Sequence, residues 1–188
     1  NGSDRLKLED ASNSSILEFT YHESAPWPTG PDGNGFSLVL INPTSSPAPD
    51  LASSWRESSL LGGNPGQPDS ATFVGDPAGD PDYDGITSLL EFAFGTPTDL
   101  ANPSPFQVSF DGASVKITTT LNQAADQLDI TLESSLDLNQ WEDATAALPL
   151  TSRINNGDGT ASVTFESIPE SLTVTQRHFF RLKVTVLP

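Results

Sequence analysis

The chain has 188 residues, of which 25 are acidic and 8 basic, giving a net charge of -17. Such a surface repels phosphate backbones and disfavours nucleic acid as a partner. With no cysteine, the chain offers no disulfide framework, zinc-thiolate site or thiol nucleophile.

Sixteen prolines and fourteen glycines predict many turns, below the level that marks disorder. No apolar run reaches the roughly 20 residues that span a bilayer. The absence of Met predicts a mature product or a piece of a longer chain, with any export signal or anchor lying outside it. The acidity suits a secreted or cell-surface setting, and bacterial exported proteins often lack disulfides.

The first third, residues 1–68, reads as β. Arg5-Leu6-Lys7-Leu8 alternates polar and apolar, as a half-buried strand does. Ile16 to Tyr21 is a second strand, with Leu17, Phe19 and Tyr21 on one face. Pro26-Trp27-Pro28 forces an extended or turn conformation, and Asp32-Gly33-Asn34-Gly35 is a strong turn signal. Phe36 to Ile41 is apolar enough for a central strand, and Trp55 opens another short segment.

The runs Tyr21 to Pro28, Asp32 to Leu38, Ser54 to Ser58 and Gly62 to Gly66 resemble the C-terminal half of a bacterial lamin-tail domain. The resemblance covers roughly residues 5–68 and implies an immunoglobulin-like β-sandwich acting as a non-catalytic accessory module. The family's first strands have no counterpart here. Trp27 and Trp55 read as core or loop-plugging rings, with an exposed sugar-stacking platform as the alternative.

Residues 69–100 carry seven acids and no base. Within them, Asp80-Pro81-Asp82-Tyr83-Asp84-Gly85-Ile86 and Glu91 have the spacing of a twelve-residue calcium loop. Oxygen ligands stand at positions one, three and five, a glycine at six makes the sharp turn, a backbone carbonyl serves at seven, and a glutamate at twelve binds through both oxygens. The expected ligands are therefore Asp80, Asp82, Asp84, the Ile86 carbonyl and Glu91. A bidentate glutamate and six or seven ligands favour calcium over magnesium. The alternative is an acidic turn in which Asp84 or Thr87 caps the following helix.

That helix is predicted from Ile86, Leu89, Leu90, Ala93 and Phe94 on one face, with Gly95 as its C-terminal cap. At about nine residues it is shorter than the ~12–15 at which isolated helices become marginal in water, so it needs packing partners. Phe73 to Gly79 holds two glycines and a proline and cannot make a good entering helix. The run Asp80 to Gly95 resembles the calcium motif of dockerin-like and thrombospondin-type-3-like repeats. Ser88 stands where that pattern has Asn, which implies a weaker or water-mediated ninth position, and Asp76 is a further candidate oxygen.

Residues 101–188 read as about seven short strands in an antiparallel sandwich. They include a hairpin across Asp111-Gly112, a third strand at Leu128 to Leu132, a short one starting at Trp141, a second hairpin across Asn155 to Gly159, and a closing strand from Phe179 to Val186. Glu133 to Trp141 with Phe180-Arg181-Leu182 resembles a fibronectin-III-like C-terminal module found after this calcium motif in exported bacterial proteins.

Catalysis has no motif to rest on. The two histidines, His22 and His178, have no Gly-x-Ser-x-Gly elbow or His-Glu-x-x-His run beside them. The expected whole is mainly β: two immunoglobulin/fibronectin-like antiparallel modules joined by a calcium loop and one short helix. Its expected role is non-catalytic, structural or adhesive, with calcium stiffening the junction. A carbohydrate-binding module using Trp27, Trp55 or Tyr83, and an appendage of an exported hydrolase, are the alternatives. A cell-surface polysaccharide or a protein is the expected macromolecular partner.

Overall fold

The computed structural model describes residues 2–111, 114–168 and 177–187. The chain is mainly β, with antiparallel ladders throughout and one α-helix among the described residues. It divides into two compact units, Asn1–Ala71 and Thr72–Pro188. No described helix is long and apolar enough to cross a membrane.

In the first unit, β1 (Ser3–Glu9) pairs antiparallel with β2 (Ser15–His22). Leu6 lies opposite Phe19 and Leu8 opposite Leu17. Opposed residues share a face, so these four make one apolar face, while Arg5, Lys7 and Glu18 lie on the other. Arg5 pairs there with Glu18. The connecting turn is built on Asp10, whose carboxylate accepts the Ser12 hydroxyl at 2.7 Å and the N–H groups of Ser12 and Ser14 at 2.8 and 2.9 Å. These bonds, the Ser12 hydroxyl first, hold the Asp10 carboxyl below its ordinary range.

β3 (Leu38–Leu40) pairs with β4 (Trp55–Glu57). The sequence suggests a central strand at Phe36 to Ile41, but only three residues join the ladder, and on one side only. Asn42 takes a left-handed φ of 45° and turns the chain into a 3₁₀ turn at Pro43–Ser45, which ends the strand. The described residues of this unit thus form two separate two-stranded sheets rather than a closed sandwich. Its aromatic centre is Trp55, stacked on Phe19 at 5.2 Å and 6.4 Å from the buried Trp27.

A buried ion pair ties the end of this unit to β4. Arg56 donates to the Asp69 carboxylate at 2.5 Å and to its carbonyl at 2.8 Å. Asp69 also accepts the Ser59 N–H and hydroxyl at 2.9 and 2.8 Å. Burial pushes the Asp69 carboxyl up, but the bonds from Arg56 and Ser59 together with the guanidinium charge outweigh it, and the net shift is downward.

Among its described residues the second unit holds α1 (Ser88–Phe94) and seven strands: β5 (Gln107–Asp111), β6 (Ser114–Asn122), β7 (Leu128–Ser135), β8 (Glu142–Asp143), β9 (Leu150–Asn155), β10 (Thr160–Glu166) and β11 (Phe179–Val186). One sheet runs β5-β6-β10-β9 and the other β11-β7-β8. The short strand expected at Trp141 begins one residue later, and Gly112 of the expected Asp111-Gly112 turn lies outside the described residues. The expected turn at Asn155 to Gly159 is a plain one, with Asp158 accepting the Thr160 N–H and hydroxyl.

Strict alternation along β6 sends Val115, Ile117, Thr119 and Leu121 inward. Ile117 and Val115 pack with Leu132 of β7 and with Ala144 and Leu148, flanked by Phe180 and Leu182 of β11. The two sheets therefore share one apolar layer. Trp141 is half-buried, with the Arg181 guanidinium 4.1 Å from its ring centre. Arg181 in turn pairs with the buried Glu133 at 2.7 Å.

Helix α1 rests on this sandwich. Phe94, with Ile86 just before the helix, joins Leu121 and Val163 in a second buried cluster, which Leu90, Ile130 and Leu182 flank. That contact supplies what a seven-residue helix lacks alone. The helix is shorter at its start than its periodicity suggests, because Thr87 is extended (φ -75°, ψ 152°) and Ile86 still belongs to the loop.

Its end is fixed by Gly95 at φ 78°, whose N–H and that of Thr96 both reach the Glu91 carbonyl, at 2.8 and 3.0 Å. The Asn122 side-chain amide donates to the Phe92 carbonyl at 3.0 Å. A Cβ at position 95 would sit 2.9 Å from Thr160 Cγ2. Gly95→Ala is therefore expected to cost about 1–2 kcal/mol, from left-handed strain plus this contact, measured as a lowered midpoint in urea unfolding of the full chain.

Candidate metal centre

The loop before α1 is pinched at its base. The Ser88 N–H and hydroxyl both donate to the Gly79 carbonyl, at 2.7 and 3.1 Å, and Leu89 N–H reaches the Pro77 carbonyl at 3.4 Å. Asp76 makes the preceding turn, its carboxylate accepting the Ala78 N–H at 3.0 Å. Both side chains that were candidates for extra ligands are thus engaged locally: Ser88 ties the two ends of the loop, and Asp76 shapes the approach to it.

Between these ends the chain folds in on its acids. Asp80 accepts the Gly85 N–H at 3.1 Å, Asp82 the Asp84 N–H at 3.3 Å, and Asp84 the Ile86 N–H at 2.7 Å. The other Asp84 oxygen accepts the Asn102 N–H at 2.8 Å. Tyr83 (φ 61°) and Gly85 (φ 89°) take left-handed conformations, and the Tyr83 ring is 89% exposed. The glycine at position six fits this backbone without strain, while the tyrosine adopts it against its intrinsic preference.

The structure brings Asp80, Asp82 and Asp84 together, with one oxygen from each within 4.8 Å of the others. Glu91 stands outside this tightest group but feels its charge. Its side chain is fully buried, and neither carboxylate oxygen has a hydrogen-bond partner. Asp80 Oδ1 and Asp82 Oδ2 are likewise buried and unpartnered. Burial first, then repulsion from Asp82, Asp84, Asp80 and Asp99, pushes the Glu91 carboxyl above its ordinary range. Asp82 is pushed up too, by burial first and then by Asp84 and Asp80 charge and an Asp80 contact, against the Asp84 N–H bond that lowers it.

A buried carboxylate without a partner costs several kcal/mol unless it is neutralised. A cation met by hard oxygens from three aspartates and a glutamate removes that cost, and an all-oxygen set suits calcium, magnesium or manganese rather than zinc or copper. Ile86 contributes its N–H to Asp84 and its side chain to the core beneath α1.

Neither Thr87 nor Asp84 caps the helix by side chain in the way the acidic-turn alternative requires. Thr87 occupies the cap position without a side-chain bond, and Asp84 serves Ile86 and Asn102. Asn102, Asn122 and Asp99 act on this segment and carry no sequence signal for it. They approach from positions up to thirty residues away, through pairings that only the fold creates.

Other singled-out residues lie elsewhere. Trp27 is buried, and Trp55 is half-buried with its N–H donated to the Pro49 carbonyl at 2.8 Å. His22 packs 6.1 Å from Trp27, and His178 stacks on Phe180 at 6.3 Å. Compared with known protein families, with curated proteins and with solved structures, this chain matches none.

Proposed function

We propose that this chain is a non-catalytic, calcium-binding structural or adhesive part of a secreted or cell-surface protein. Asp80, Asp82, Asp84, the Ile86 carbonyl and Glu91 hold the ion, and its binding stiffens the junction between the two β regions. The observation that carries this reading is Glu91: fully buried, unpartnered at both oxygens and surrounded by like charge. A cation among these carboxylates neutralises an acid so placed.

Calcium titration calorimetry on the full chain, with Asp82→Ala and Glu91→Ala alongside, tests the reading. Extracellular sites bind on the order of 10⁻⁴ to 10⁻³ M. Calcium at 10 to 100 times the dissociation constant then adds about 1.4–2.7 kcal/mol. Both variants are expected to lose the binding heat and the stabilisation. A parent protein that melts at the same temperature in calcium and in chelator would overturn it.

A further inference from the structure

The sequence holds the Asn–Gly pairs Asn1–Gly2, Asn34–Gly35 and Asn156–Gly157, the first of which begins outside the described residues. Asn before Gly is open to an internal reaction, because glycine has no side chain to shield its amide nitrogen from the carboxamide that precedes it. The fold treats the other two pairs differently. At Asn156–Gly157 every participant is held. The Asn156 side-chain amide donates to the Thr160 hydroxyl at 2.9 Å, and its oxygen accepts the Ser162 hydroxyl at 3.0 Å. The Gly157 N–H donates to the Asn155 side chain at 3.0 Å. The related pair in the acidic loop, Asp84–Gly85, is locked too: the Gly85 N–H is given to Asp80, and both Asp84 oxygens accept N–H bonds.

At Asn34–Gly35 nothing is held. Both residues are exposed, and neither the Asn34 side chain nor the Gly35 N–H has a hydrogen-bond partner among the described residues. The loop around them is nevertheless anchored on both sides. The Gly30 N–H donates to the Glu57 carboxylate at 2.7 Å, and the Gly35 carbonyl accepts the Gly62 N–H at 2.6 Å.

We propose that Asn34–Gly35 is a self-modification site, at which water converts the Asn34 amide to a carboxylate through a cyclic imide. The Gly35 nitrogen forms a bond to Asn34 Cγ. The Cγ–Nδ2 bond breaks, and Nδ2 leaves as ammonia with the proton that Gly35 gives up. Water then opens the five-membered ring at either carbonyl. Opening at Cγ restores the normal main chain with an aspartyl side chain. Opening at the main-chain carbonyl leaves Gly35 bonded through Cγ, as an isoaspartyl link. That link adds one methylene to the main chain between the anchors at Gly30 and Gly35, so it loosens the loop's hold on Glu57 and Gly62. Loss of ammonia makes the change one-way.

Peptide mapping by mass spectrometry tests this on the full chain, kept at mildly alkaline pH in buffer and in concentrated urea. In urea, where no fold protects either pair, positions 34 and 156 are expected to react at similar rates. In buffer, Asn34 is expected to react at least about tenfold faster than Asn156, whose hydrogen bonds must open first. Asn34→Gln, with a side chain one carbon too long for the five-membered ring, is expected to lose the reaction and keep its unfolding midpoint. The isoaspartyl form is expected to unfold at lower urea than Asn34→Asp, which has the same charge and a normal main chain. Equal native rates at 34 and 156 would overturn the proposal, as would an Asn34 that reacts in urea and is protected in buffer. Equal midpoints for the isoaspartyl form and Asn34→Asp would overturn the loosening.

Discussion

Glu91→Gln will raise the melting temperature of the chain in chelator and lower it in saturating calcium. The substitution keeps the shape and removes the charge. Without an ion, the buried Glu91 carboxylate has no hydrogen bond and faces the charges of Asp80, Asp82 and Asp84, so losing that charge relieves an unmet desolvation cost of about 1–3 kcal/mol. Each kcal/mol moves the midpoint by about 4 °C for a unit of this size. With calcium bound, the same change deletes a charged ligand, and the order of the two proteins reverses. A loss of equal size in both conditions would mean that Glu91 is a packing residue and no ligand.

The pH dependence supplies the matching signature. The native Glu91 pKa lies above its ordinary 4.5, so the native state holds that proton more tightly than the unfolded chain. In chelator, stability therefore rises as pH falls from neutrality through the native pKa, and this gain is complete below about 4.5. Asp82, raised above 3.8, adds in the same direction. Asp10, Asp69, Asp137, Asp143 and Asp158 are all lowered from 3.8, so what they contribute is lost only as pH falls below that value. The two windows meet in the ordinary carboxylate range, where their contributions have opposite signs. Glu91→Gln is expected to flatten the upper one and leave the lower one unchanged.

Asp69→Ala is expected to destabilise the first unit by about 3–5 kcal/mol, the usual loss when one member of a buried ion pair is removed and the other stays buried. Here Arg56, only 8% exposed at its side chain, loses the carboxylate it pairs with, and the Ser59 N–H and hydroxyl lose their acceptor too. Urea unfolding read from Trp27 and Trp55, which report on this unit, measures it. Against a total stability of about 5–15 kcal/mol for a typical domain, such a loss removes between about a fifth and the whole of it. A loss below about 1 kcal/mol would show that water replaces Asp69 at the guanidinium.

The strands of the second unit were legible because β6, β7, β10 and β11 alternate, and one face of each meets a shared core. The loop was legible because its oxygens recur at fixed offsets. What escaped has a common cause: it depends on residues far apart in the chain. Nothing near Asp69 announces Arg56, thirteen positions earlier, and by composition Asp69 reads as part of the acidic segment that follows. Phe36 to Ile41 is apolar enough for a central strand, yet whether a strand is central depends on neighbours on both sides, and β3 has one. The helix lost two residues at its start because Asp84 holds the Ile86 N–H in the loop, a local bond that periodicity does not see.

The seat of α1 sets the order in which this region assembles. Leu121 and Val163, on which the helix rests, come from strands β6 and β10, whose pairing joins Asn122 to Thr160 across a long stretch of chain. Contacts of such sequence separation close slowly. Until they close, the helix that carries Glu91 has no surface to lie on and is too short to persist alone. The acidic loop is thus completed at the end of folding, and interactions formed there act chiefly on how slowly the chain comes apart, with little effect on how fast it comes together.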